Sequence, residues 1–134
     1  MSDTGAHRKP AVLTRILLWV AKLVSASMLA HAAFEKLTGD SHAIEMFTLL
    51  EMEPSGRLVI GVIEALATLL ILLPQSSVYG ALLGLGVMIG ATIAHLTVLG
   101  CGHLPHAAAV TAGCLTILYL RRDDAGFLRN LWDR

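Results

Sequence analysis

Four apolar runs divide the chain, and each is close to the length a helix needs to cross the hydrocarbon layer of a bilayer. They cover residues 12–34, 58–73, 78–99 and 106–120. Arg15 and Lys22 interrupt the first, Pro74 closes the second, and Arg121-Arg122-Asp123-Asp124 stops the fourth. The second and fourth are short for full spans. A helix can extend a turn into the interface, and Arg and Lys can snorkel, so both remain spans. None of the runs alternates with period two, which excludes barrel strands. In lipid every backbone polar group must pair within its element or a closed sheet, and these runs therefore select helices. The expected fold is an all-α membrane protein, an antiparallel bundle of four transmembrane helices with short interfacial helices.

Composition agrees. Of 134 residues, 55% are hydrophobic and 15% charged, against about 25% charged in soluble domains. Four spans of about 20 residues would use about 80 positions. Ten basic and ten acidic side chains cancel, which leaves no excess of positive charge for phosphate neutralisation. These numbers exclude a disordered chain, a soluble enzyme with a large separate domain, and a nucleic-acid binder. Two cysteines do not define a disulfide framework.

Basic residues set the expected orientation. The tails and the first turns next to them carry Arg8, Lys9, Arg15, Arg121, Arg122, Arg129 and Arg134. The loop between spans one and two carries Lys36 and Arg57 against Glu35, Asp40, Glu45, Glu51 and Glu53. The positive-inside rule puts both termini of a multi-pass protein in the cytoplasm; the membrane expected is a bacterial inner membrane. Segments 35–57 and 100–105 then face outward, and the 74–77 turn faces inward. Arg8-Lys9, an apolar stretch and Ala30-His31-Ala32 loosely resemble a secretory signal. Lys22 lies inside what would be its apolar core, so an uncleaved span is expected. The chain thus divides into a tail (1–11), a four-helix domain (12–120) and an amphipathic cytoplasmic tail (121–134).

Two segments outside the spans have helical patterning. Residues 41–53 form an expected short helix, with Asp40 or Ser41 as N-cap and Pro54-Ser55-Gly56 at its end. Ile44, Phe47 and Leu50 fall on one side, which suits a helix anchored in the outer interface. In the C-terminal tail Phe127, Leu128, Leu131 and Trp132 repeat the pattern, with Arg129 and Arg134 free to meet anionic lipid. Small residues mark the expected helix contacts. Gly80/Gly84 and Gly86/Gly90 in span three have small-xxx-small spacing. Gly61, Ala65 and Thr68 in span two, and Ala112 and Gly113 in span four, complement them. A leftover glycine face would suit a homo-oligomer.

Ionisable residues within spans are costly and call for a reason. Lys22 is mid-span, on the face of its helix opposite His31, and is expected to snorkel toward cytoplasmic headgroups. His31 and Glu35 share a face at i, i+4. By depth, His31, Glu35, Lys36, Glu64 and His95 can meet in one polar ligand-binding pocket in the outer half of the bundle. Glu64 can take or give a proton, and His95 can donate a hydrogen bond to a carbonyl. These two are the candidates for catalysis, and a quinone head group would use them together. The plainer alternative is a structural Glu64–Lys36 ion pair. No HExxH-type spacing occurs, and no metal is expected. Cys101, His103 and His106, in Cys101-Gly102-His103-Leu104-Pro105-His106, are weak candidates for Zn or Cu ligation, with Cys114 as a distant fourth. The same run reads more simply as loop filler, or as a thiol open to mixed disulfides.

Phe34-Glu35-Lys36-Leu37 closes the first span, Gly61-Val62-Ile63-Glu64-Ala65 lies in the second, Pro74 ends it, and Ala91-Thr92-Ile93-Ala94-His95 lies late in the third. This ordered set, over roughly residues 14 to 120, resembles the DoxX-like family of small four-helix membrane proteins. The resemblance implies Lys36, Glu64 and His95 as the family-type polar positions. It does not extend to Cys101, His103 or His106. The family takes its name from a quinone-linked thiosulfate oxidation system, and many members are regarded as redox-complex subunits. More distant relatives act in thiol-redox maturation or membrane assembly. The chain has no CxxC motif, which weighs against thiol chemistry. It also has no Rossmann glycine signature, P-loop or haem-attachment motif, so an accessory subunit is expected rather than a self-sufficient enzyme. The leading expectation is a redox-associated subunit that binds quinone, or a similar lipid-soluble ligand, and works with a partner enzyme. The alternative is an assembly or chaperone-type protein that binds partner transmembrane helices without catalysis. A third reading, a solute pathway, would require an oligomer.

Overall fold

A computed structural model of the chain describes residues 11–124. The stripe of Phe127, Leu128, Leu131 and Trp132, with Arg129 and Arg134, lies outside the described residues, as do Arg8 and Lys9. The described residues form helices α1 (Val12–Thr38), α2 (Ser41–Leu49), α3 (Ser55–Leu72), α4 (Ser77–Ala94) and α5 (Leu104–Leu120), with no strand among them. A π-helical turn, His95–Leu99, continues α4. Four helical stretches are long and apolar enough to cross a membrane: Val12–Thr38, Ser55–Leu72, Ser77–Leu99 and Cys101–Leu120. The all-α membrane fold expected from the sequence is therefore present.

The helix ends differ from the apolar runs because capping, not hydropathy, sets them. α1 runs past residue 34 and takes in Glu35 and Lys36. Gly39 stops it in the left-handed conformation, φ 75°, and its N–H bonds back to the Glu35 carbonyl. Asp40 then caps α2 by accepting from the His42 N–H at 3.0 Å. α2 ends at Leu49, four residues before the expected 53, and Glu51 just beyond it has φ 58°. Pro105 sits in the first turn of α5, where its missing N–H costs no helical bond.

α1 packs on α3 and α5, and α4 packs on the same two helices, which closes a four-membered ring. Arg57, early in α3, donates to the Lys36 carbonyl late in α1. Arg121, just past α5, donates to the Pro74 carbonyl and, at 2.7 Å, to the Ser77 hydroxyl at the α3–α4 turn. These end contacts are consistent with an antiparallel bundle. Leu29, Ala67, Ile71, Ala81, Val110 and Ile117 fill its centre.

The surface is the inverse of a soluble protein. Lys22, Ser25, Glu64, Ser77 and His95 are buried, while Val20, Leu23, Val62, Leu69, Ile89 and Ile93 are all more than half exposed. Such an apolar girdle needs lipid around it. Thr68, Thr92 and Thr116 satisfy their hydroxyls on carbonyls four residues back, at 2.9, 2.7 and 2.8 Å. The two glycine pairs of α4 have different uses. Gly80 lies against the backbone of α3, and Gly84 against Leu29 and Cys114. Nothing lies within 4 Å of where a Cβ would stand at Gly86 or Gly90. That second pair borders a cavity instead of closing a helix contact.

Candidate functional site

The extra turn of α1 carries Lys36 to the start of α3. A cation in a last helical turn complements the helix dipole. The Lys36 Nζ donates to Glu64 Oε1 at 3.0 Å and to the Ala32 carbonyl at 3.4 Å. The same nitrogen is 2.9 Å from Glu64 Oε2, which has no aligned hydrogen-bond donor. The two side chains are only 14% and 2% exposed. Arg57 fixes this corner from behind. It binds Glu53 through Nε and Nη2 at 2.8 Å each and holds the Lys36 carbonyl. In sequence Glu53 and Arg57 look like loop charges; here they position Lys36.

His95 opens the π turn and is 8% exposed. Its Nδ1 lies 3.1 Å from the Gly100 carbonyl oxygen. A carbonyl only accepts, so Nδ1 carries the proton, and Nε2 of the neutral ring is left as an acceptor. That alters the expected role: donation from Nε2 to a ligand carbonyl requires the protonated ring. The His103 ring stacks on His95, with centroids 5.5 Å apart. The Nε2 atoms of His103 and His42 are 3.3 Å apart, so the helix α2 is tied to the loop before α5.

Lys36, Glu64 and His95 line one cavity of about 300 Å³, within the size range of small-ligand sites. The rest of its wall is almost wholly apolar: Ile60 from α3, Gly86, Val87, Gly90, Ala91 and Ala94 from α4, and Leu99. Met46 and Phe47 of α2, with Leu50 and Met52 beyond it, complete the wall. The segment that the sequence offers as an interfacial anchor covers a cavity. Ala43 and Phe47 are its buried residues, while Ile44 of the expected stripe is exposed.

The structure does not bring the other expected residues to this cavity. His31 and Glu35 pair with each other at 3.3 Å on the surface, 71% and 41% exposed. Lys22 is buried, with Nζ 4.5 Å from the centroid of the Trp19 ring, and it lines a separate cavity where α1 begins and α5 ends. Cys101 is exposed, Cys114 is buried, and both are free thiols. Among the described residues no three His, Cys, Asp or Glu side chains are arranged to hold a metal, and Cys101, His103 and His106 form no such set. Sequence reasoning missed His42, whose partner His103 is 61 positions away. No local pattern signals that pairing.

No curated protein and no solved structure matches the chain significantly. The profile of the DoxX-like family matches residues 20–118. The match runs from α1 into α5 and includes all three polar residues of the cavity. The chain, an all-α protein with four membrane-spanning helices, therefore belongs to the DoxX-like family.

Proposed function

We propose that the Lys36–Glu64–His95 cavity takes the head group of a lipid-soluble quinone, with preference for the reduced dihydroxy form. The chain then serves as an accessory subunit of a membrane oxidoreductase, with both termini cytoplasmic in a bacterial inner membrane and the cavity in the outer half of the bilayer. The basic tails and the acidic 35–57 loop support that orientation. The carrying observation is the Glu64 carboxylate, 2% exposed, which lines an otherwise apolar cavity with Lys36 as its one side-chain partner among the described residues. A carboxylate accepts more hydrogen bonds than one ammonium supplies, which leaves Glu64 capacity for a ligand O–H.

The donor set fits such a ring. In its ion pair with Lys36, the Glu64 carboxylate only accepts hydrogen bonds, and His95 Nε2 accepts as well. Two acceptors complement two hydroxyl groups better than two carbonyls. Val87, Phe47 and Ile60 offer apolar surface to the ring, and Gly86 and Gly90 keep the space open. A bound quinone supplies two-electron, two-proton redox chemistry. The residues of this chain bind it, exclude water and offer Glu64 and His95 as proton acceptors.

The test is anaerobic titration of the purified protein with a short-chain benzoquinol and with the matching benzoquinone. A hydrogen bond to a charged group contributes about 1.5–3 kcal/mol, so the quinol is expected to bind at least about tenfold more tightly. Gly90→Phe, which fills the cavity without touching the ion pair, should abolish both. Equal affinity for the two forms, or binding unaffected by Gly90→Phe, would overturn the reading. Absence of any binding would favour the assembly role, with partner helices as ligands.

A further inference from the structure

At the end of the bundle opposite the Lys36–Glu64 pair, a second cavity of about 290 Å³ lies between the first turns of α1, the α3–α4 turn and the end of α5. Its charged lining consists of Arg15, Lys22 and Arg121 against Asp124. The single carboxylate is already bound. Arg121 holds Asp124 Oδ2 through Nε and Nη2 at 2.8 Å each, and also holds the Pro74 carbonyl and the Ser77 hydroxyl. Lys22 is 2% exposed, and no carboxylate among the described residues lies within ion-pair distance of it. Its neighbour on the cavity wall is the ring of Trp19. The nearby Arg121 charge adds repulsion.

A buried ammonium in an apolar bundle without a counter-ion is costly. The Trp19 face offsets only part of that cost. Among the described residues the cavity wall is therefore short of negative charge, with neither Lys22 nor Arg15 paired to a carboxylate there. Leu18, Pro74 and Leu120 add apolar surface beside the cations. Trp19 is 46% exposed, as befits an aromatic side chain at the membrane–water boundary. Cations at depth, an aromatic at the boundary and an apolar flank suit an anionic amphiphile. Basic recesses between spans are known to take lipid head groups.

We propose that this cavity binds the phosphate group of an anionic phospholipid, with Lys22 and Arg15 as its ligands and Trp19 beside it. Arg121 is the brace that holds the α5 end in place for the site. This site is separate from the Lys36–Glu64 cavity and does not depend on any activity there.

The full chain carries two tryptophans, so Trp132→Phe leaves Trp19 as the sole reporter. In phosphatidylcholine nanodiscs with a minor fraction of lipid brominated on its acyl chains, brominated phosphatidylglycerol should quench Trp19 at least about threefold more than brominated phosphatidylcholine at equal mole fraction. Lys22→Met should remove that excess, and the surface variant Arg15→Gln should reduce it. Arg122→Gln, which deletes a charge outside the cavity lining, should leave it unchanged. Equal quenching by the two lipids, or an excess that survives Lys22→Met in a folded protein, would overturn the site. Loss of the excess on adding millimolar inorganic phosphate, with Trp19 emission shifted in the absence of anionic lipid, would overturn the lipid as the source and assign the site to free phosphate.

Discussion

Lys36→Ala is expected to lower the unfolding free energy of the detergent-solubilised bundle by about 3–5 kcal/mol, the typical cost of breaking a buried ion pair from one side. The variant leaves the Glu64 carboxylate, 2% exposed, without its cation. Glu64→Ala leaves Lys36 in the same position and should cost a similar amount. The double variant Lys36→Met/Glu64→Leu removes both charges and should recover most of the loss, because apolar residues of similar volume often replace a buried pair with little penalty. Titration with a denaturing detergent, monitored by circular dichroism, measures all four proteins. Additive single and double losses would mean that the pair does not couple α1 to α3. Recovery in the double variant with loss of quinol binding would separate the structural role of the pair from its role toward a ligand.

Gly80→Val should be the most damaging of the glycine substitutions. A Cβ at residue 80 would stand 2.5 Å from the Ile71 nitrogen, 2.8 Å from the Leu70 carbonyl carbon and 2.9 Å from the Ala67 oxygen. All three are backbone atoms of α3 and its end, so no side chain can rotate away. The helices must separate, and overpacking of this kind costs about 1–3 kcal/mol or more. Even Gly80→Ala should destabilise, although alanine is intrinsically the better helix former by about 1 kcal/mol. Gly86→Ala, with open space where its Cβ would lie, should be neutral or slightly stabilising. Equal stability of the Gly80 and Gly86 alanine variants in the same denaturation assay would contradict the close contact of α3 and α4.

The contrast between these two glycines shows how far the sequence can be read. Run length and composition were enough for four spans and an all-α fold, because the bilayer leaves the backbone few alternatives. The small-xxx-small spacing was legible, but it could not distinguish Gly80, which packs on a helix, from Gly86, which borders a cavity. Spacing gives the face of a residue on its own helix; the rotation of the neighbouring helices decides what that face meets. The same limit applies to the polar residues. Lys36, Glu64 and His95 share a cavity, as depth suggested. His31 shares its depth with them but points outward with Glu35. Depth follows from position in a run, whereas azimuth follows from packing. Arg57 and His42 act through partners 21 and 61 residues away, and neither pairing leaves a local trace.

Lys22 is buried beside Trp19 at the edge of a basic cavity; its depth is legible in the sequence, and the gathering of Arg121 around the same space is not. The two cavities divide the bundle's charge. One pairs a cation with a carboxylate beneath α2, and the other gathers cations where α1 begins and α5 ends. α2 connects the first to the histidines: its His42 contacts His103, which stacks on His95 of the cavity wall, while Met46 and Phe47 cover the space itself.

The most direct test of the quinone reading is to purify the protein from bacterial membranes in mild detergent, extract it with organic solvent and quantify bound quinone by mass spectrometry. The Gly90→Phe and Lys36→Met/Glu64→Leu variants provide the comparison, since each removes the site by a different route. Near-stoichiometric quinone in the native chain, absent from both variants, is the expected result. No quinone in the native chain, or equal amounts in all three proteins, would contradict a ligand site formed by Lys36, Glu64 and His95.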